Sequence, residues 1–372
     1  MKNIRLQIDS PSKNSDILYA INFYCIDPVV VIENENEKIV ALPSTEIENF
    51  KKKGSFTEVY NLSEELQKSP LKSNILLSYL KNKNIKPDEI IVSVPENFPI
   101  KEANFLLQYG IKLEIIEDFF YPQRVSKSQK EISYIKENSN KNCMIMKEVY
   151  DILALSSIDK NNNLVYNGEI LTSEYIQNYI LKRFLDLDMI SESVIVAIGD
   201  QGVFPHENGS GNIKANTSII VDIFPRSRKN YYYSDMTRTF CKGKASDELK
   251  RIYNTVYDAQ RMAMDKLHAR EDGNKIHQFV KMYFENKGFK SGIQNGVLQG
   301  FFHGTGHGLG LDCHEYPYIG NKSCILPENS VVSVEPGLYY LGIGGVRIED
   351  IVRVTENGIE NLIDFDKKLE IE

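Results

Sequence analysis

Four acidic residues stand where strands should carry apolar side chains. Asp222 ends the run Ile219-Ile220-Val221, and Asp235 lies inside 231–240. Glu335 follows Val331-Val332-Ser333-Val334, and Glu349 sits within 345–352. Asp and Glu are depleted in strands and seldom fully buried. A lone strand acid is usually solvent-facing or paired with an arginine. Four of them, beside a histidine-rich segment, point to bound cations. That segment, 302–315, holds His303, His307 and His314, half of the chain's 6 histidines. Gly304, Gly306, Gly308 and Gly310 let its backbone approach something closely. A phosphate cradle fits poorly, because neither the GxGxxG arrangement nor a Walker-type lysine is present. Histidines in a structural role are the alternative to one metal ligand and two proton handlers.

The charges of such a set balance. Two Asp and two Glu match two divalent cations, and one neutral imidazole completes the donors. The donors are mainly hard oxygens without cysteine, which suits manganese better than structural zinc, with cobalt, zinc or iron as further options. If 219–224 and 231–240 form a hairpin across 225–230, the expected register sets Asp222 opposite Tyr233. Asp235 is then a diagonal neighbour of Asp222 on the same face, because side chains alternate with period two. Carboxylates that close repel unless a cation joins them, and burying an unpaired charge costs several kcal/mol per ion.

The elements that must position these residues divide into two groups. The chain has 372 residues, which suggests two domains. Residues 1–123 alternate strands (Val29 to Ile32, Ile39 to Leu42, Ile90 to Val94, Leu113 to Ile116) with helices (about 71–80 and 100–109). That alternation predicts a small α/β domain. The polar, proline-containing stretch 121–128 marks the boundary. A long helix is expected from near Ser128, with further helices along Tyr175–Phe184, after the N-cap Ser246, and along Ile276–Phe284. Strands are expected at 193–198, 217–224, 231–240, 331–335 and 345–354, so residues 124–372 read as α+β.

Composition excludes several classes. The net charge of −7 offers no basic face for nucleic acid. The stretch from Ile17 to Ile32 is interrupted by Asn22, Asp27 and Pro28, too short and polar to span a membrane. The opening MKNIRLQIDSPSKNSD lacks the apolar core of a signal peptide. Cys25, Cys143, Cys241, Cys313 and Cys324 show no paired spacing and are expected to be reduced thiols. A cytoplasmic protein is the expectation.

Together the motifs VDIF (221–224), SDMTRTF (234–240), HGTGHGLGLDCHE (303–315), VEPGLYY (334–340) and GVRIEDIVRV (345–354) resemble, in order, the metallopeptidase family that includes aminopeptidase P, prolidase and methionine aminopeptidase. The resemblance covers roughly 126–365. It implies a pita-bread catalytic domain, a curved antiparallel sheet covered by helices, over 124–372. Residues 1–123 resemble the smaller domain that precedes it in aminopeptidase P, prolidase and creatinase. Carried over by motif, Asp222 would ligate one metal, and Asp235 and Glu349 would bridge both. His307 and Glu335 would hold the other. His206, His303 and His314 match histidines on the substrate side, and Arg347 an arginine supporting the bridging ligands. The sequence departs from the pattern in the longer spacing from Asp222 to Asp235 and in Phe224, which replaces an expected glycine. The enlarged tip 225–230 is expected to be a solvated charged loop.

The resemblance implies hydrolysis of the bond between an N-terminal residue and proline, by an Xaa-Pro aminopeptidase or dipeptidase. Glu335 would take the proton of the attacking water and pass it to the leaving nitrogen, His314 would stabilise the oxyanion, and His206 would position the substrate. Proline lacks an N–H and has a fixed φ, so it needs its own pocket. Tyr232 or Tyr318 could line that pocket, and both serve equally well as packing. The expected partner is a peptide with proline in second position, and the resemblance suggests a homodimer. Two rivals stay open: a creatinase-like amidinohydrolase, and a non-catalytic binding module of the same fold.

Overall fold

A computed structural model describes residues 2–117 and 119–372. The chain forms two compact units, Met1–Arg124 and Val125–Glu372.

The first unit is built on a six-stranded sheet. Its spatial order is Glu58–Asn61, Lys38–Leu42, Val29–Glu33, Lys2–Asp9, Ile90–Pro95 and Lys112–Ile116. Strand Lys2–Asp9 lies inside the sheet, antiparallel to Val29–Glu33 and parallel to Ile90–Pro95. The continuous apolar run at Val29 follows from burial on both faces. Val30 and Ile32 join one hydrophobic cluster with Ile4, Leu6 and Ile8, while Val29 and Val31 join another with Ile17, Val40 and Phe50. Lys2–Asp9, which is not among the expected strands, carries the period-two signal of one, because Ile4, Leu6 and Ile8 alternate with Arg5 and Gln7.

The second unit mixes long helices with short antiparallel strands, an α+β arrangement. Helix Gln129–Leu155 starts with a capping box: Ser128 Oγ accepts from the Glu131 N–H, and Glu131 accepts from the Ser128 N–H. Helix Asp247–Lys266 is capped by Ser246, whose Oγ accepts from the Leu249 N–H at 3.1 Å. It buries Leu249, Ile252, Val256 and Ala263 with Ile276, Val280 and Phe284 of helix Gly273–Asn286 against Val332, Val334, Val346 and Val352 of the strands. One sheet runs Ile195–Ile198, Ile219–Ile223, Met236–Lys242, Glu370–Ile371. Another runs Glu315–Ile319, Gly306–Gly308, Val331–Val334, Asp350–Thr355, Gly358–Asn361. Gly337–Tyr340 pairs with Gly344–Arg347.

Three expectations are corrected here. Asp222 lies opposite Thr237, not Tyr233. The shift is an even number of residues, so Asp235 remains a diagonal neighbour on the same face. The stretch 345–354 is two strands rather than one, broken at Ile348-Glu349, where the Glu349 N–H donates to the Thr237 carbonyl at 3.0 Å. The tip 225–230 is a solvated charged loop only at Arg228 and Lys229. Arg226–Ser227 pairs with Met189–Ile190, Ser227 is fully buried, and the Asn138 amide on the long helix donates to Asn230 Oδ1 at 3.0 Å. The extra residues give the tip enough chain to make these bonds, leaving Arg228 and Lys229 outside, with Lys229 paired with Asp188 at 2.6 Å.

All 5 cysteines are free, with Cys25, Cys241 and Cys324 buried. Among the described residues, no helix is long and apolar enough to cross a membrane.

Candidate metal centre

The five residues singled out as ligands line one cavity of about 710 Å³. Their positions share a logic: only Asp222 and His307 sit within strands, while Asp235 precedes one, Glu335 follows one and Glu349 fills a break between two. Strand ends free the backbone to turn a carboxylate inward while the neighbouring apolar residues keep their core positions. The glycines of 304–310 serve that packing. A Cβ on Gly306 would lie 1.9 Å from the Ser333 carbonyl oxygen, so only glycine lets the His307 strand approach that close.

Ligand atoms of Asp235, His307 and Glu349 all lie within 4.8 Å of one another. His307 Nε2 is 3.2 Å from Glu335 Oε1 and 3.9 Å from Asp235 Oδ2. His307 Nδ1 lies 3.1 Å from the Gly308 carbonyl and donates to it, which leaves Nε2 to face the carboxylates. Asp222 Oδ2 accepts from Arg347 Nη2 at 2.7 Å, and Glu349 Oε2 accepts from Thr237 Oγ1 at 2.8 Å. The other oxygens of these acids, Asp222 Oδ1 and Glu349 Oε1, and also Asp235 Oδ1, are buried without a hydrogen-bond partner among the described residues. Such groups are rare in folded proteins, and ionised ones more so. Divalent cations fit here: they satisfy the orphaned oxygens and the imidazole lone pair together, and the oxygen-rich donor set suits a hard ion.

The electrostatics agree. Burial raises the pKa of Asp222 against the pull of Arg347. Burial, then the charges of Glu349, Asp222 and Glu335, push Asp235 well above the usual carboxylate range. Burial and the neighbouring acids do the same to Glu349. Burial also opposes the charge on Glu335, but its hydrogen bond to His307 and the nearby cationic groups outweigh this and hold it at about 2. His307 is lifted to about 9, since the acids around it outweigh its desolvation.

The remaining candidates line the same cavity. His206 lies in an exposed turn, and the His314 ring stands 4.0 Å from the His307 ring. Burial and then the proximity of His307 lower the His314 pKa. His303 has both ring nitrogens engaged: Nδ1 donates to the Gly304 carbonyl at 2.7 Å, so neutral Nε2 accepts from Tyr339 Oη at 2.8 Å. Burial lowers its pKa, in keeping with the neutral form. His303 therefore offers the cavity a ring surface rather than a free donor. Arg347 is buried and bonds to Asp222, Thr237 and Tyr339, so it acts on the site through Asp222. Tyr318 lines the cavity. Tyr232 is packing, with its hydroxyl donating to Glu131 at 2.6 Å.

Sequence reasoning missed three contributors. Tyr339, fully buried, links Arg347 to His303. Thr237 holds Glu349. Cys313 Sγ lies 3.5 Å from Asp235 Oδ2, with its thiol pushed up by burial and the acids. Thr237 was within reach of a period-two reading from Asp235. Tyr339 carries no such signal, because its partners come from distant segments.

The chain is similar in sequence and in fold to known proteins. An uncharacterized peptidase of Methanocaldococcus jannaschii is 33% identical over 254 residues, 67% of this chain and 66% of that protein. A Xaa-Pro dipeptidase of Pyrococcus furiosus is 28% identical over 83% of each chain. The solved X-Pro aminopeptidase of Thermotoga maritima superposes with a TM-score of 0.81 at 24% identity, over 100% of this chain and 98% of that one, which shows the shared pita-bread fold. The family model matches residues 145–356, a stretch that contains all five acid and imidazole ligand candidates, and so the chain belongs to metallopeptidase family M24.

Proposed function

We propose that the second unit is a dinuclear metallopeptidase that hydrolyses the bond between an N-terminal residue and proline, as an Xaa-Pro aminopeptidase or dipeptidase. One observation carries the metal requirement: three buried carboxylate oxygens, without hydrogen-bond partners among the described residues, belong to acids that line one cavity with the His307 imidazole. The names of the Pyrococcus furiosus and Thermotoga maritima relatives support the proline preference.

Asp222, Asp235, His307, Glu335 and Glu349 would hold two divalent cations, manganese first among them. Bound there, the cations would supply Lewis acidity that polarises the scissile carbonyl and makes water a competent nucleophile near neutral pH. The chain's own groups do the rest. Glu335, an ionised carboxylate at neutral pH, would take the water's proton and deliver it to the leaving proline nitrogen. His314, held neutral, donates one N–H to the developing oxyanion. His206, at the exposed rim, positions the peptide. His303 and Tyr318 form walls, and Phe224, Phe302 and Ile195 make an apolar side of the cavity suited to an imino-acid ring or an apolar side chain.

The test is to strip metal with chelator, restore manganese, and compare Ala-Pro and Ala-Pro-Ala with Ala-Ala. Manganese-dependent cleavage of the proline peptides alone is expected. Turnover that ignores chelation, or equal cleavage of Ala-Ala, would overturn the proposal. Preference for Ala-Pro over the tripeptide assigns a dipeptidase, and the reverse an aminopeptidase.

A further inference from the structure

Lys127 is a buried lysine outside the ligand set. Its side chain is 1% exposed, and Nζ lies 2.6 Å from Glu315 Oε1, a carboxylate itself only 10% exposed. Both ends of this pair are built into the frame of the site. The Lys127 N–H donates to the Asn329 carbonyl at 2.9 Å, and Ser126 Oγ donates to the Glu328 carbonyl at 2.7 Å. These bonds fix Lys127 beside the turn that opens strand Val331–Val334, the strand leading to Glu335. Glu315 sits at the other end, closing the loop 309–314 that presents Cys313 and His314 to the cavity. Its Oε2 accepts from the Asp312 N–H at 3.4 Å. A Cβ on Gly310 would lie 2.5 Å from Glu315 Oε1, so the loop folds tightly around the carboxylate. The Gly310 carbonyl in turn accepts from the Tyr233 N–H at 2.8 Å, two residues before Asp235.

We propose that Lys127 and Glu315 are positioning residues: the buried ion pair sets the loop 309–314, and through it the place of His314 and of the Asp235 hairpin, relative to Glu335. The proposal rests on the peptidase reading for its kinetic arm only. A buried pair of this kind contributes little net stability against an apolar replacement of the same shape, whereas removing one partner strands the other. What the pair supplies is geometry, and a misplacement of about 1 Å can cost on the order of a hundredfold in rate.

Lys127→Met and the double variant Lys127→Met/Glu315→Gln test this. Lys127→Met is expected to lower kcat for a Xaa-Pro peptide by on the order of ten- to hundredfold, with a smaller change in KM. In the chelated protein it is expected to speed iodoacetamide labelling of Cys313, read by peptide mapping, by about tenfold as the displaced loop uncovers the thiol. The double variant buries no stranded charge, so it is expected to regain the wild-type melting temperature while kcat stays low. Recovery of kcat together with stability in the double variant, or unchanged turnover and labelling in Lys127→Met, would overturn the proposal. If Lys127→Met does not fold, the double variant decides alone. A wild-type protein that cleaves no proline peptide refutes the functional reading instead, and the labelling rates then decide this one.

Discussion

Asp235→Asn should change the sign of its effect on stability when metal is added. Asp235 is 4% exposed, with one oxygen unpartnered and three other acids acting on it. Without metal it must either ionise inside that cluster or hold a proton against the solution pH. Both cost free energy, and the cost of holding the proton grows as pH rises. The direction follows from linkage. Asp222, Asp235 and Glu349 have folded pKa values above their unfolded ones, so their contribution is complete at low pH and is lost as pH rises through the folded values. His307, raised to about 9, loses its contribution between about 6.5 and 9. Glu335, lowered to about 2, stays ionised in both states above about pH 6 and adds no slope there. The histidines with lowered values, His277, His303 and His314, are already neutral in both states above about pH 7.5. Between pH 7.5 and 9 the cluster therefore makes the chelated protein less stable as pH rises.

Asparagine removes one charge and can donate an N–H to the acids around it. Relieving an unsatisfied buried group is worth about 1–3 kcal/mol, which for a unit of this size is a rise of about 3–10 °C in melting temperature. In manganese at a hundredfold over Kd, the wild type gains about 2.7 kcal/mol for each occupied site, most of which the variant forfeits. Differential scanning calorimetry at pH 8, with chelator and with manganese, reads both arms. The variant should melt above the wild type in chelator and below it in manganese. A variant that melts lower in both buffers would refute the idea that repulsion among these acids is what cations relieve.

Three further outcomes are expected. Tyr339→Phe removes the hydroxyl that accepts from Arg347 and donates to His303, and should lower kcat/KM by about tenfold while leaving metal stoichiometry unchanged, as measured by steady-state kinetics and elemental analysis. Phe224→Ala takes an aromatic ring from the cavity wall and should lower KM for peptides with a large N-terminal side chain more than for Ala-Pro, in a side-by-side comparison of Phe-Pro-Ala and Ala-Pro-Ala. Ser246→Ala removes the cap of helix Asp247–Lys266 and should cost about 1 kcal/mol, a drop of about 2–4 °C in melting temperature, with KM unmoved.

The ligand candidates were legible because they break a rule. Acids inside apolar strand runs violate β composition, and Asp222, Asp235, Glu335 and Glu349 do so within sight of a glycine-histidine segment. Helix starts at Ser128 and Ser246 were legible for the opposite reason: they obey a local rule, a hydroxyl followed by an apolar stripe. What escaped depends on contacts between distant segments. The strand register around Asp222 is set by the docking of the 225–230 tip on the long helix and on Met189–Ile190, which no hairpin rule contains. Lys127 pairs with a residue 188 positions away. Tyr339 looks like any core aromatic until Arg347 and His303 are placed beside it.

The same contrast explains how the cluster can exist before any cation arrives. Its acids are not held by one another, since they repel. They are held from behind: Asp222 by Arg347, Glu349 by Thr237, Glu335 by Ser333 and His307, and Asp235 by a hairpin whose own backbone is bonded to the histidine loop. Each of these holders sits on a rigid strand or on a loop tied to one, so the acids face the cavity with oxygens to spare. Preorganisation of that kind raises the free energy of the empty site and returns it on binding, which is why holders such as Tyr339 and Lys127 deserve to be treated as part of the site although neither lines its cavity.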